Sequence, residues 1–149
     1  MHIVMPKVSP WGSSMKRNFV LTLTGPDRIG IVGELTRLLT ERGGNVETSR
    51  MARLGGEFAV LMLVSMPRDA FNSLDDGLKG LLGEGYKVTT TVSERTYAEA
   101  YPGWLPYQIE VNGADHEGII HEISHYLSQR GISIESMESE CTPAPTSGI

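Results

Sequence analysis

The chain of 149 residues contains one cysteine, Cys141, so it cannot form an internal disulfide or a cysteine-rich zinc site. Long apolar runs are also missing, because the longest, FAVLMLV at residues 58–64, is far shorter than the ~20 residues of a membrane-spanning helix. Residues 1–14 lack the continuous apolar core of a secretory signal. These absences predict a protein that neither spans nor binds a membrane. We expect it to be cytoplasmic, with organellar import as the alternative.

Positive charge is scarce and is not clustered. Residues 1–92 hold 11 Lys and Arg against 9 Asp and Glu, and residues 93–149 hold 2 against 9, which gives +2 and -7 and sums to the formal charge of -5. No basic run is longer than Lys16-Arg17. A nucleic-acid-binding surface needs clustered positive charge to displace counterions. The sequence therefore predicts no direct contact with nucleic acid.

The chain does contain an internal repeat. Residues 19–48 align without a gap on residues 107–136, at a constant offset of 88. Two copies of one module therefore describe the chain better than a single domain does. The identical pairs are Gly25/Gly113, Asp27/Asp115, Gly30/Gly118, Ile31/Ile119, Glu34/Glu122, Leu39/Leu127, Arg42/Arg130, Gly43/Gly131 and Glu47/Glu135.

Apolar spacing in the first copy predicts the order βαββαβ. A strand is predicted over residues 19–24, where apolar and polar residues alternate, and three more are predicted over residues 46–53, 57–66 and 86–92. Helical spacing predicts one helix that begins at an N-cap, Asp27, and ends at Gly43-Gly44, and another over residues 71–82. Gly55-Gly56 is typical of a tight hairpin. This order predicts an α+β, ferredoxin-like module, with an antiparallel sheet and both helices on one face.

The segment LTGPDRIGIVGELTRLLTERGGNVETSRM resembles the first strand, loop, helix and second strand of the ACT domain, a small regulatory module that binds amino acids. Two such modules in tandem, without a catalytic domain, resemble the glycine cleavage system transcriptional repressor family. The same motifs also resemble ACT modules of formyltetrahydrofolate deformylases and nitrogen-sensing uridylyltransferases. The resemblance implies an N-terminal extension (1–16), a first ACT domain (17–93), a linker (94–104) and the N-terminal part of a second ACT domain (105–149).

The second module has an incomplete pattern. By the offset, its third strand, second helix and fourth strand would occupy about residues 145–180, beyond Ile149. Because the third strand of this fold lies between the first and second, the fragment 105–140 would leave backbone groups unpaired. We expect either a longer natural chain or a second chain to complete the sheet.

The loop between the first strand and helix is the predicted ligand site, GPDRIG in one copy and GADHEG in the other. A helix N-terminus suits a carboxylate, glycine allows close approach, and an aspartate pairs with an ammonium group. In the first copy the predicted residues are Asp27, Arg28, Gly30 and Ile31, with Asn45 and Val46 added by resemblance to ACT pockets that face a neighbouring module. In the second copy they are Asp115, His116, Gly118 and Ile119. The alternative is that Asp27 and Asp115 only cap helices and the glycines only form turns.

Residues 121–125, HEISH, match the zinc metalloprotease motif H-E-x-x-H. In the first copy of the repeat, however, Gly33 and Arg37 occupy the positions of His121 and His125. The two histidines lie beside the apolar helix face that is predicted to face the core, which is formed by Ile120, Ile123 and Leu127. No H-x-x-G-x-x-H extension follows. We therefore predict no catalytic zinc and at most adventitious metal binding. Cys141 lies near Glu138 and Glu140, which disfavours a thiolate nucleophile.

Together these observations predict a regulator without catalytic residues, metal or cofactor. It would bind an amino acid at an ACT–ACT interface, form homo-oligomers and act through a protein partner. The family resemblance implies control of glycine cleavage gene expression. The alternatives are a regulatory fragment of an enzyme of amino-acid or folate metabolism, a zinc hydrolase that uses His121, Glu122 and His125, and a purely structural oligomerisation module.

Overall fold

The computed structural model describes residues 16–94 and 97–142, and the predictions for the N-terminal extension before Lys16 and for the tail after residue 142 lie outside these ranges. The chain divides into two compact units, unit 1 (Met1–Trp104) and unit 2 (Leu105–Ile149). Across the described ranges, every helix is too short or too polar to cross a membrane.

Unit 1 contains a four-stranded sheet in the order β2-β3-β1-β4, in which every neighbouring pair is antiparallel. Its third strand therefore lies between the first and second, and the ferredoxin-like prediction is confirmed. The elements are β1 (Lys16–Pro26), α1 (Ile31–Thr40), β2 (Asn45–Leu54), β3 (Glu57–Pro67), α2 (Arg68–Gly83), β4 (Lys87–Val92) and the short helix α3 (Tyr97–Ala100).

The core of unit 1 lies between one face of the sheet and the two long helices. Buried side chains alternate along the two central strands β1 and β3, because successive residues of a strand point to opposite faces. They form a single cluster with the buried side chains of α1 and α2, so both helices pack on the same face. The core residues are Phe19, Leu21, Leu23, Ile31, Leu35, Leu38, Leu39, Val60, Met62, Val64, Met66, Leu74, Leu78, Leu81 and Tyr86.

The start of α1 differs from the prediction. Gly30, with a φ of 90°, occupies the N-cap position that was predicted for Asp27, and among the described residues no side chain caps the helix. Glycine adopts the left-handed backbone conformation without strain, and this conformation at Gly30 delays the first helical turn until Ile31. The predicted capping role of Asp27 is therefore wrong. The end of the helix is confirmed, since Gly43 is left-handed, with a φ of 73°.

The two glycines at 55 and 56 form the predicted hairpin between β2 and β3. Leu54 pairs with Glu57, and Gly55 has a φ of 60°, as the first turn position of a type II′ hairpin requires. Near the other end of β2, the register shifts between Val46 and Thr48. Glu47 is therefore the extra residue of a β-bulge.

Unit 2 contains a single regular element among its described residues 105–142, the helix α4 (Ile119–Gln129). Gly118, with a φ of 82°, again occupies the N-cap, so the capping role of Asp115 was also wrong. Residues 105–142 contain no buried side chain, and Ile120, predicted beside a core, is 43% exposed. In unit 1 the central strand β3 pairs with both β1 and β2. The segments flanking α4 have no such strand between them and therefore form no ladder.

Candidate functional site

The loop that joins β1 to α1 is held in place by the buried side chain of Tyr86. This tyrosine is 3% exposed, and its hydroxyl donates a hydrogen bond of 2.6 Å to the carbonyl oxygen of Pro26. Gly25 lies against the ring so closely that a Cβ there would approach Tyr86 Cδ1 to 2.5 Å. A residue without a side chain is therefore required at position 25.

Asp27 forms an ion pair with the end of the edge strand β2. Its Oδ2 lies 2.6 Å from Nε of Arg53, and its side chain is 30% exposed. The backbone amide of Asp27 also donates a 3.5 Å hydrogen bond to the carbonyl oxygen of Gly56, in the β2–β3 turn. The predicted ammonium-binding carboxylate is thus already paired with a cation that solvent can reach.

Arg28 points back toward the protein and is held by two carboxylates. Its Nη2 lies 2.5 Å from Glu34 Oε2 and 2.9 Å from Glu84 Oε2, and its guanidinium lies 5.7 Å from the ring centroid of Tyr86. The hydrogen bond that Arg28 donates to Glu34 raises the pKa of Arg28 above its ordinary value, so the guanidinium is permanently charged. Arg28 therefore anchors the loop.

The tip of the loop and the first turn of α1 are open to solvent. Ile29 is fully exposed. The backbone amides of Ile31 and Glu34 donate hydrogen bonds to the carbonyl oxygens of Arg28 and Gly30. Among the described residues, the amides of Val32 and Gly33 have no acceptor outside the helix. A Cβ on Gly33 would meet no described atom within 4 Å. This end of the helix can accept a small anion.

The predicted residues Asn45 and Val46 do not join this loop within unit 1. Asn45 pairs with Ser65 of β3, whereas Gly25 pairs with Phe58, seven residues away along the same strand. At about 3.3 Å per residue, the two groups are separated by about 23 Å. Asn45 instead donates a 3.1 Å hydrogen bond to Glu47, and Val46 packs against the core. One copy of unit 1 thus carries the two predicted halves of the pocket at opposite ends of its sheet.

The second loop repeats the ion pair of the first. His116 Nε2 lies 3.0 Å from Glu122 Oε2, and these residues occupy the repeat positions of Arg28 and Glu34. Asp115 accepts a hydrogen bond instead of repeating the ion pair of Asp27, since its Oδ2 lies 2.8 Å from the thiol of Cys141. That bond raises the pKa of Cys141, so the group that opposes a thiolate is Asp115, whereas the sequence indicated Glu138 and Glu140.

The ion pair between His116 and Glu122 raises the pKa of the histidine. The hydrogen bond to Glu122 raises the pKa of His116 above 6.5, so the pair stabilises the fold below that pH and its contribution is lost as pH rises through the raised pKa. An NMR titration of the His116 ring should show this elevated pKa, and Glu122→Gln should return it toward 6.5. Glu117→Gln, which changes a neighbouring carboxylate, should leave it elevated. An equal effect of both substitutions would contradict the pairing.

The H-E-x-x-H residues are arranged on the exposed side of α4. The rings of His121 and His125 stack with their centroids 5.8 Å apart, while the carboxylate of Glu122 is hydrogen-bonded to His116. Across residues 16–94 and 97–142, no group of three or more His, Cys, Asp or Glu side chains could hold a metal ion. The structure supplies no third ligand for the pair within these ranges.

Three anchors of the first loop were missed by sequence reasoning: Arg53, Glu84 and Tyr86. Each is distant along the chain from residues 25–30 and reaches the loop only through the tertiary fold.

The geometry of this sheet and loop agrees with a known family. The sequence profile of the ACT domain matches residues 17–90. Residues 17–90 are an ACT domain. The chain is also 29% identical over 131 residues to the glycine cleavage system transcriptional repressor of Escherichia coli (strain K12), a match that covers 88% of this chain and 68% of the repressor. The repressor of Shigella flexneri matches with the same values. The predicted resemblance to this family is confirmed.

Two crystal structures share the fold of this ACT-domain protein. A protein of unknown function from Galdieria sulphuraria has a TM-score of 0.64 and 29% identity, and the match covers 89% of this chain and 75% of that one. A candidate glycine cleavage system transcriptional repressor has a TM-score of 0.57 and 24% identity, with coverage of 86% and 74%. The chain is therefore an ACT-domain protein related to the glycine cleavage repressors.

Proposed function

We propose that this ACT-domain protein is a regulator that binds an amino acid between the unit 1 domains of two copies. The observation that carries the proposal is the separation of about 23 Å between the Asp27–Ile31 loop and Asn45 within one sheet. A second copy placed antiparallel along the edge strand β2 brings its Asn45 and Val46 to the loop of the first. Such a two-fold arrangement is self-complementary and creates two equivalent pockets.

The loop offers complementary groups to the two charged ends of an amino acid. The ligand carboxylate would accept hydrogen bonds from the first-turn amides of Val32 and Gly33, where open space lies above Gly33. The ligand ammonium would pair with Asp27 and displace Arg53, an exchange of one exposed ion pair for another that costs little. Arg28 would keep the loop in place through Glu34 and Glu84.

Binding at a contact between copies can regulate, because a ligand that prefers one arrangement of two subunits shifts their equilibrium. The relatives are named transcriptional repressors of the glycine cleavage system. We therefore extend the proposal to control of glycine cleavage gene expression. The acidic second half of the chain, with a net charge of -7 over residues 93–149, favours a protein partner over direct contact with DNA. This role is non-enzymatic and cytoplasmic.

A thermal-shift screen of the purified chain against the twenty amino acids tests this function. A ligand at about 100 times its Kd should raise the free energy of unfolding by about 2.7 kcal/mol. Asp27→Asn should weaken that ligand's affinity about tenfold or more, because a charge-assisted hydrogen bond is lost. The matched control is Asp76→Asn, which breaks an exposed ion pair with Lys79 on α2 and should leave the affinity unchanged. A response that survives Asp27→Asn, or no response to any amino acid, would refute the proposed site.

A further inference from the structure

Two histidines lie next to each other on the solvent side of α4. His121 and His125 are both exposed, and their ring centroids are 5.8 Å apart, with an angle of 19° between the ring planes. Residues four apart on a helix lie on one face, one above the other. Because both positions lie inside the helix, its backbone hydrogen bonds fix the spacing of the two side chains.

The solvent side of this helix is exposed in unit 1 as well. By the repeat, His121 and His125 correspond to Gly33 and Arg37 of α1. Both counterparts are exposed, although the opposite face of α1 packs in the core of unit 1. The exposure of the histidine pair is therefore a property of this helix face, and it does not depend on what packs against the other face.

The distance between the two rings suits one shared metal ion. An imidazole nitrogen binds an ion such as Zn²⁺ at about 2.0–2.1 Å, which places the ring centroid about 3 Å from the ion. Two rings on one ion therefore have centroids no more than about 6 Å apart, and the observed 5.8 Å lies within this limit. Rotation about χ2, a broad torsion in histidine, turns one nitrogen of each ring toward a common point.

The charge around the pair favours a cation. Residues 105–142 hold seven Asp and Glu against one Arg, a net charge of -6. Such a field raises the local concentration of divalent cations. The selection among them comes from the ligands, because imidazole suits ions such as Ni²⁺, Cu²⁺ and Zn²⁺, whereas Mg²⁺ and Ca²⁺ prefer oxygen.

The position of Glu122 separates metal binding from metal-assisted hydrolysis. In a protease with the motif H-E-x-x-H, the glutamate is the general base beside the metal-bound water. Here its carboxylate is hydrogen-bonded to His116 at 3.0 Å. Within the described ranges, no third metal-binding side chain joins the histidine pair. The arrangement therefore fits a binding site and not a hydrolytic one.

We propose that His121 and His125 form a two-histidine site on α4 for one divalent transition-metal ion of the class that prefers imidazole, such as Ni²⁺ or Zn²⁺. The ion joins two successive turns of the helix, and water occupies its remaining coordination positions. The metal ion and the amino acid proposed above use different residues, so loss of one site leaves the other intact.

Isothermal titration calorimetry of the full chain with Ni²⁺ tests this site. Saturable binding is expected, and His121→Ala and His125→Ala should each weaken it about tenfold or more, since even the loss of a group that only orients a metal ligand costs about 10–100-fold. Mg²⁺ at the same concentrations should give no saturable binding, because imidazole is not a ligand that Mg²⁺ prefers.

An exchange of two residues on the same helix face gives the matched control. The variant His125→Ser/Ser128→His keeps the composition and both histidines, but positions 121 and 128 are about 10 Å apart along the helix, too far for one ion. It should lose as much affinity as His125→Ala. His116→Ala removes an exposed histidine outside the pair and should retain the affinity. Far-UV circular dichroism should be unchanged in every variant, because each altered side chain is exposed.

Four results would overturn the two-histidine site. They are no saturable binding of Ni²⁺, equal binding of Ni²⁺ and Mg²⁺, affinity that survives His121→Ala or the exchange of His125 with Ser128, and an equal loss in His116→Ala. Equal binding of the two ions would show that the acidic residues hold the cation without the histidines.

Discussion

Truncation of Leu35 to alanine should lower the free energy of unfolding of unit 1 by about 2–5 kcal/mol, the range for large-to-small changes in a packed core. Leu35 is fully buried at the centre of α1, between side chains that the ladder of β1 and β3 holds in place, so the core cannot collapse around the cavity. In a domain of this size each kcal/mol lowers Tm by about 4–8 °C, so a fall of about 10 °C or more is expected. Urea denaturation followed by circular dichroism measures the loss.

The repeat supplies the matched control, Ile123→Ala. Position 123 is the counterpart of Leu35, yet its side chain lines an open groove and is only half-buried. Its truncation should cost less than about 1 kcal/mol, because little apolar surface returns to water. Equal losses at the two positions would show that unit 2 has a closed core in solution. A smaller loss at Leu35 than at Ile123 would contradict the assignment of the core itself.

Most of the fold of unit 1 could be predicted from the sequence, because its signals are local. Alternation along β1, the apolar run of strand length in β3 and helical spacing in α1 and α2 are each patterns within one element. Residues 107–112 of unit 2 alternate much as β1 does, yet they form no strand in the part of the chain that the structure describes. A strand is stable only when its backbone is paired, and pairing depends on another segment of the chain.

The candidate site was predicted less completely than the fold. The loop follows from motif spacing, but the N-cap depends on the left-handed conformation of Gly30. Residue propensity placed the N-cap at Asp27, three residues too early. The distance to Asn45 follows from topology: a helix returns the chain to the end of the sheet where the first strand began, so β2 starts far from the loop. Arg53 and Glu84 are distant from the loop along the chain, so no local sequence pattern predicts that they contact it.

Replacement of Gly25 by valine should destabilise unit 1 by about 3 kcal/mol, at the upper end of the cost of overpacking. A Cβ at this position would lie 2.5 Å from Tyr86 Cδ1 and 3.1 Å from Tyr86 Cα, so both the ring and the backbone of the neighbour must move. Gly25 is not in the left-handed region, and the cost is therefore steric. Denaturant unfolding measures it, with Gly113→Val as the control, where open space should keep the change within about 0.5 kcal/mol.

The same substitution should impair the candidate site, because Tyr86 holds the loop in two ways. Its hydroxyl binds the carbonyl oxygen of Pro26 and its ring faces the guanidinium of Arg28. Tyr86→Phe keeps the ring and removes only the hydrogen bond, which should cost about 0.5–1.5 kcal/mol of stability. If the loop binds an amino acid, affinity should fall in the order wild type, Tyr86→Phe, Gly25→Val. Unchanged affinity in a folded Gly25→Val variant would show that the ligand does not depend on this loop.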